Sequence, residues 1–370
     1  MPDSEQKAKF DSILTRISDL LDISEAIYED AVRKYEDVGS WLDANDSPLH
    51  VNKPEIYAQG SFRIGTVVRP LSGRDEYDID LVCHLEIDKK NISQKELTSM
   101  VGARLKANEK YNRILKPGRR CWTLHYADAF HIDILPAIPD YEKGNNSILI
   151  TDKQLKTWQP SNPKGYARWF KEQMKGMFEQ RAELLAETLK ANVQDVPEWK
   201  VKTPLQRAIQ ILKRHRDIHF QRDEDDKPVS IIITTLAAHA YANEDSVYDS
   251  IVSIAENMPS YILYENGTAW VANPTNPEEN FADKWEEYPD RRAKFMRWLE
   301  NVRSDLEKAL EPEKEEEVSD LFKSTLGVVL GTESFGHSES TFTNIEVLTK
   351  RKTDRSVEEV RPMKPWGIRV

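Results

Sequence analysis

Cysteine is scarce in this chain of 370 residues, with only Cys83 and Cys121 present. Two thiols build no disulfide framework, and they fall short of the four Cys/His ligands of a structural zinc site. A reducing cytoplasm is the compartment that fits this usage. No run approaches the roughly 18 consecutive apolar residues of a membrane-spanning helix, so a membrane partner is not expected. The opening MPDSEQKAKFDSILTR is polar and acidic, unlike a secretory leader. Internal repeats are also missing. Positive charge is in deficit, since 52 Lys and Arg against 63 Asp and Glu leave a net charge of −11. A chain that works on long DNA or RNA usually shows a basic excess, so the balance weighs against that class. Basic residues do cluster locally, in KPGRR (116–120) and LKRHR (212–216).

What is present is an ordinary globular composition, 39% hydrophobic and 31% charged, long enough for two domains or one domain with two lobes. Residues 4–42 place Phe10, Ile13, Leu14, Ile17, Leu20 and Leu21 at helical spacing, and Ile27, Ala31 and Tyr35 continue it. The pattern predicts one long helix with at most one break. Residues 55–139 read as a mixed sheet. PEIYAQ, YDIDLVCHLEI and FHIDILPAI are strands, FRIGTVVRPL holds a short helix, and Ser93 caps a helix with apolar Leu97, Val101 and Leu105. From Trp158 the character turns helical. SNPKGYARWF… opens at Ser161, where an N-cap is one reading, and TPLQRAIQILKRHRD starts with Thr203 as cap and Pro204 in the first turn. SIIITTLAAHAY suits a strand or a helix by its own pattern. PDRRAKFMRWLENVRSDLEKAL is amphipathic, and EPEKEEE (311–317) reads as a solvated helix face or loop. The division expected is a sheet lobe over 1–157, a helical lobe over 158–348 and a polar tail over 349–370.

The chemistry concentrates between residues 60 and 136. Residues two apart on a strand share a face, so Asp78 and Asp80 point one way while Tyr77, Ile79 and Leu81 point the other. Asp133 sits among apolar neighbours on FHIDILPAI, and three carboxylates converge if the two strands are adjacent. Like charges that close are costly without a counter-charge, and clustered hard oxygens suit divalent cations that also take substrate phosphates. Taken alone, DID fits a half-solvated strand edge better. Gly60-Ser61 entering a helix upstream changes the balance, because a glycine turn and a helix N-terminus offer N–H groups to an anion. His131 reads as a packing residue, and His215 and His219, at i and i+4, as surface residues.

The order QGSFRIGT, YDIDLVCHL, FHIDILPA resembles the DNA polymerase β-like nucleotidyltransferase superfamily. Within it the chain is similar to the branch of oligoadenylate synthetases and the cGAS/DncV-like nucleotidyltransferases of bacterial anti-phage (CBASS) systems, from the first helix to about residue 340. The resemblance implies an α/β fold, a mixed-sheet nucleotidyltransferase lobe followed by a helical lobe, with the donor nucleotide between them. It implies that Gly60 and Ser61 hold the donor triphosphate, that Asp78, Asp80 and Asp133 bind two Mg²⁺ ions (with Mn²⁺ as substitute), and that Asp133 is also the base for the incoming hydroxyl. It matches Lys213 and Ser230 to phosphate contacts, Ser161 to a base contact, and Asn280 and Phe281 to the loop near the donor base, and it makes SIIITTL a helix. Where relatives often carry an aromatic after the serine, this chain has Ile231, which leaves base stacking to another group.

The implied reaction joins NTPs, ATP with GTP or a pyrimidine nucleotide, into a cyclic di- or trinucleotide signal read by a downstream effector protein. A linear 2′–5′ oligoadenylate synthetase, a tRNA or antibiotic nucleotidyltransferase, and a non-catalytic nucleotide-binding regulator stay open, the last disfavoured by the intact aspartates. Relatives that sense long DNA carry a zinc module for which this chain lacks ligands, and those that sense RNA use a basic face. No long nucleic-acid activator is therefore expected. Constitutive activity or control by a regulatory partner or small molecule is, and KPGRR and LKRHR are expected at the nucleotide cleft and its rim.

Overall fold

The computed structural model describes residues 4–71, 76–126, 130–144, 146–154, 156–190, 192–265, 267–310 and 315–330. The N-terminal apolar pattern gives two helices, α1 (Ser4–Leu21) and α2 (Glu25–Leu42). Ser24 breaks them apart: it adopts an extended conformation and its hydroxyl accepts the Ile27 N–H at 3.4 Å, starting the second helix. The described residues group into two compact units whose limits differ from the expected boundary at 157. One takes 23–170 with 274–276, and the other takes the chain up to 22, 171–273 and the residues from 277 on. The polar tail and residues 331–348 lie outside the described residues.

The first unit is built on β1 (Glu55–Ala58), β2 (Tyr77–His84), β3 (Leu115–Pro117), β4 (Trp122–Tyr126), β5 (Phe130–Pro139), β6 (Ile148–Ile150) and β7 (Gln159–Ser161). With α2 it carries α3 (Gly60–Ile64), α4 (Gln94–Lys106), α5 (Glu109–Ile114) and most of α6 (Pro163–Gln173). The strands lie in the order β1-β2-β5-β4-β3, with β6 on β5 and β7 on β6. β2 and β5 run parallel and the other pairs antiparallel, so the sheet is mixed. Ser93 and Glu96 form the capping box that opens α4, and Leu97, Val101 and Leu105 are buried beneath it. Gly102 is what lets α4 lie on β4: a Cβ there would stand 2.2 Å from the Trp122 ring. The indole N–H of Trp122 in turn donates to the Thr98 carbonyl at 2.8 Å.

The second unit is helical. It holds α1, α7 (Lys175–Leu189), α8 (Pro204–His219), α9 (Ser230–Ala240), α10 (Val247–Asn257), α11 (Lys284–Glu287), α12 (Pro289–Leu310) and α13 (Glu315–Leu326). Short ribbons β8 (Leu263–Glu265) with β9 (Thr268–Trp270) and β10 (Ala272–Asn273) with β11 (Asn276–Asn280) accompany them. α8 is its axis. Thr203 and Gln206 form a capping box with Pro204 in the first turn, and every residue from Leu205 to Arg216 except Arg207 is buried. SIIITTL is the helix α9; its whole circumference is packed, and burial overrides the β-branched preference. Among the described residues no helix is long and apolar enough to cross a membrane.

Candidate active site

The alternation of β2 places its residues as the pattern requires. Tyr77, Ile79 and Leu81 are buried, Asp78 is exposed and Asp80 half-buried. Parallel pairing sets Asp80 opposite Asp133 and Asp78 opposite His131, so the carboxylates share one face of two adjacent strands. Ligand atoms of Asp78, His131 and Asp133 all lie within 4.8 Å of one another. Asp80 stands beside that group, toward Gly60.

Gly60 explains the second half of the arrangement. Its φ of 61° is left-handed, and a Cβ there would lie 2.4 Å from Asp80 Oδ2, so both the backbone and the space demand glycine. The strand end is tied in by the Gln59 N–H, which donates to the Asp80 carbonyl at 2.8 Å. α3 is one short turn closed by Gly65 at φ 70°, with Ser61 half-buried at its start. The Asp80 carboxylate thus packs directly against the start of α3, an approach only glycine permits.

The neighbours of these aspartates are residues that spacing did not single out. Thr123, paired with Asp133 across β4 and β5, donates its hydroxyl to Asp133 Oδ1 at 2.5 Å. The Cys121 thiol lies 3.7 Å from the Thr123 hydroxyl, and burial, with Asp133 next to it, pushes the thiol up to about 12. His131 Nε2 is 3.2 Å from Asp78 Oδ1 and its Nδ1 is 3.4 Å from Glu76 Oε2, a carboxylate that His125 also meets at 3.3 Å. The bond to Asp78 raises the His131 imidazole above its ordinary value, against the opposing effect of burial. His131, read as a packing residue, thus also pairs with carboxylates on this face. The signal available in the sequence was its position, one pleat from Asp133 and level with Asp78 once the two strands pair.

The remaining sequence candidates fall elsewhere. Ser161 ends β7, and the N-cap of α6 is Asn162, whose side chain accepts the Gly165 N–H at 2.9 Å, so Ser161 is not the cap. In the helical unit, Lys213 is only 4% exposed on α8. Ser230 opens α9, with its hydroxyl accepting from Arg216 at 2.8 Å. Asn280 braces its own loop: its carbonyl accepts the N–H groups of Val271 and Ala282, and its amide donates to the Ala269 carbonyl, each at 2.9 Å. Phe281 follows it, half-buried, with its N–H on the Val271 carbonyl.

The two basic clusters differ: Lys116, Arg119 and Arg120 stay exposed, whereas the second cluster is buried. Arg119 and Arg120 both grip the fully buried carboxylate of Asp152, at 2.9 and 2.7 Å, and the 212–216 cluster is buried in α8. His215 is no surface residue. Trp298 donates its indole N–H to His215 Nδ1 at 3.0 Å, which leaves the ring proton on Nε2, 3.2 Å from Asp305. His219 is exposed, as expected.

Comparison with known proteins gives a consistent result. Residues 6–173 match the Second Messenger Oligonucleotide or Dinucleotide Synthetase domain. A c-di-GMP synthase of Roseivirga ehrenbergii is 31% identical over 328 residues, which are 88% of this chain and 86% of that protein. The cyclic dinucleotide synthase CdnG of Bradyrhizobium diazoefficiens is 26% identical over 336 residues, 83% of this chain and 78% of the other. The solved structure of that CdnG in complex with GTP aligns with a TM-score of 0.70 at 24% identity, over 86% of this chain and 94% of the other.

Proposed function

Since this chain belongs to the cGAS/DncV-like nucleotidyltransferases, we propose that it makes a cyclic dinucleotide from GTP, cyclic di-GMP. The enzyme class is nucleotidyltransferase and the reaction class cyclic dinucleotide synthesis. The choice of guanine rests on the relatives: the one at 31% identity is a c-di-GMP synthase, and the solved CdnG structure holds GTP. The observation that carries the site is the alignment of Asp78, Asp80 and Asp133 on one face of β2 and β5, with Gly60 held against Asp80.

The donor set fits divalent cations. The carboxylates are hard oxygen ligands, and oxygens of Asp78 and Asp133 lie within 4.8 Å of each other, a little beyond the ~4.2 Å that two ligands of one ion at ~2.1 Å can span, with Asp80 beside them. Asp78, Asp80 and Asp133 would hold two Mg²⁺ ions, which when bound neutralise the triphosphate and the charge developing at its α-phosphate. The residues do the rest. Backbone N–H groups at Gly60 and Ser61 orient the donor phosphates. Asp133 takes the proton of the attacking ribose hydroxyl as it displaces pyrophosphate, and the Thr123 hydroxyl holds one of its oxygens so that the other faces the reaction. Lys213 and Ser230 are assigned to the donor phosphates, and Ser161, Asn280 and Phe281 to the bases. Asn280 does so mainly by shaping its loop, since its amide is spent on backbone. The product is read by an effector in anti-phage defence, with a regulatory protein as a further partner.

The test is incubation with the four labelled NTPs and Mg²⁺, phosphatase treatment and mass analysis. A phosphatase-resistant product with the mass of cyclic di-GMP, from GTP alone, is expected. A linear product, or a cyclic one lacking guanine, overturns the proposal.

A further inference from the structure

His131 stands where a metal ligand would. Register sets it level with Asp78 on the neighbouring parallel strand, on the face that carries Asp133. A ring nitrogen of His131 belongs to the set of ligand atoms that lie within 4.8 Å of one another, a set that includes Asp78 and Asp133 and omits Asp80, and Nε2 is the nitrogen 3.2 Å from Asp78 Oδ1. A second observation is independent of that cluster. The other ring nitrogen, Nδ1, faces the Glu76 carboxylate at 3.4 Å. A metal-ligating imidazole almost always donates its remote N–H to a carboxylate or carbonyl, which fixes the tautomer and presents the free lone pair to the ion. His131 has a carboxylate placed for that role, with Nδ1 3.4 Å from Glu76 and Nε2 turned to Asp78.

Donor chemistry then separates the ions. Mg²⁺ prefers oxygen and near-ideal octahedral geometry, whereas imidazole nitrogen suits first-row transition ions. We propose that His131 is a direct ligand of the cation held by Asp78 and Asp133, and that this mixed nitrogen and oxygen set selects Mn²⁺ over Mg²⁺. The inference rests on the metal-dependent reading of the site given above and adds the identity of a ligand and of the preferred ion.

The test uses the full chain loaded with Mn²⁺. Free Mn²⁺ is titrated by its EPR signal, and pulsed EPR reports any ¹⁴N coupling to the bound ion. The wild type is expected to show imidazole nitrogen coupling. It should persist in His125→Gln and vanish in His131→Gln, with Mn²⁺ affinity falling at least about tenfold and Mg²⁺ affinity falling less. Glu76→Gln, which removes the anchor and leaves the ligand, should weaken Mn²⁺ binding while retaining the coupling. Bound Mn²⁺ without nitrogen coupling in the wild type overturns the proposal, whatever the variants do, and so does coupling that survives His131→Gln. Failure of the parent reading looks different: Mn²⁺ binding that is unchanged in both Asp78→Asn and Asp80→Asn would show that the aspartates hold no ion.

Discussion

At Gly60 a single hydrogen in place of a side chain decides whether the site exists. Alanine there would be strained by the left-handed φ, by about 1–2 kcal/mol, and its methyl would meet Asp80. Gly60→Ala is therefore expected to lower kcat by at least tenfold while circular dichroism stays native; full activity would show that Asp80 can move without consequence. The aspartates themselves are a plainer case. If Asp78 and Asp80 hold the proposed ions, which would supply several kcal/mol of transition-state stabilisation, Asp78→Ala and Asp80→Ala should lower turnover by more than about 10³-fold. Without added cation, thermal stability should stay equal or rise slightly, because like charges are removed from one face. Near-wild-type product from either variant would refute the two-ion site. Lys213 needs a different substitution, since it is 4% exposed and alanine would also leave a cavity. Lys213→Met keeps the volume and removes the charge. Nucleotide binding followed by calorimetry should weaken by roughly 1–3 kcal/mol, the value of a charge-assisted hydrogen bond, and an unchanged affinity would remove Lys213 from the phosphate contacts.

Helix α8 shows how an element with polar residues can be the centre of a unit. Its residues from 205 to 216 are buried almost without exception, yet they include Lys213, Arg214, His215 and Arg216. Such a helix is stable only where its polar groups are met, and two of the meetings are visible: Arg216 with Asp217, Ser230 and the Pro228 carbonyl, and His215 between Trp298 and Asp305. The hydrogen bond from His215 holds the Asp305 carboxyl below its usual range. A carboxylate with a lowered folded value adds stability that is complete above its unfolded value of 3.8 and is lost as pH falls below it toward the folded value. Acid unfolding should report this. Relative to Asp305→Asn, the wild type is expected to lose its advantage as pH drops from about 5 to below 4, and parallel stability curves would contradict the pairing. On the sheet side, the packing of α4 on β4 depends on Gly102. A larger residue there has to displace the Trp122 indole and its bond to Thr98.

Across the whole molecule, charge bears on activation. The net charge is −11, and of the two basic clusters one is buried in α8, while the other spends Arg119 and Arg120 on Asp152 and leaves their side chains 44% and 46% exposed. A phosphate-binding surface needs accessible lysine and arginine. Long DNA or RNA is therefore expected to leave the rate of pyrophosphate release unchanged. A stimulation of tenfold or more by either polymer, about 1.4 kcal/mol of coupling, would show that the exposed basic residues compose such a face.

The sequence by itself determined the parts whose signal is local. Strand period two put Asp78 and Asp80 on one face, helical spacing and caps at Ser93 and Thr203 set α4 and α8, and a Gly-Ser turn ahead of the acidic strand indicated the chemistry. The tertiary structure decided what depends on pairing between distant segments. Parallel register brought Asp133 level with Asp80 and His131 level with Asp78, and the antiparallel neighbour delivered Thr123 to Asp133. Periodicity allowed one break in the first helix without locating it, and packing puts it at 22–24. Ser24 caps the second helix there, and Asp22 is tied to Lys202 and Gln210, nearly two hundred residues away. His215 was misread, and the partners of His131 went unseen, for the same reason: a titratable side chain takes its role from the groups that fold against it, and those groups are chosen by register and packing rather than by its neighbours in the chain.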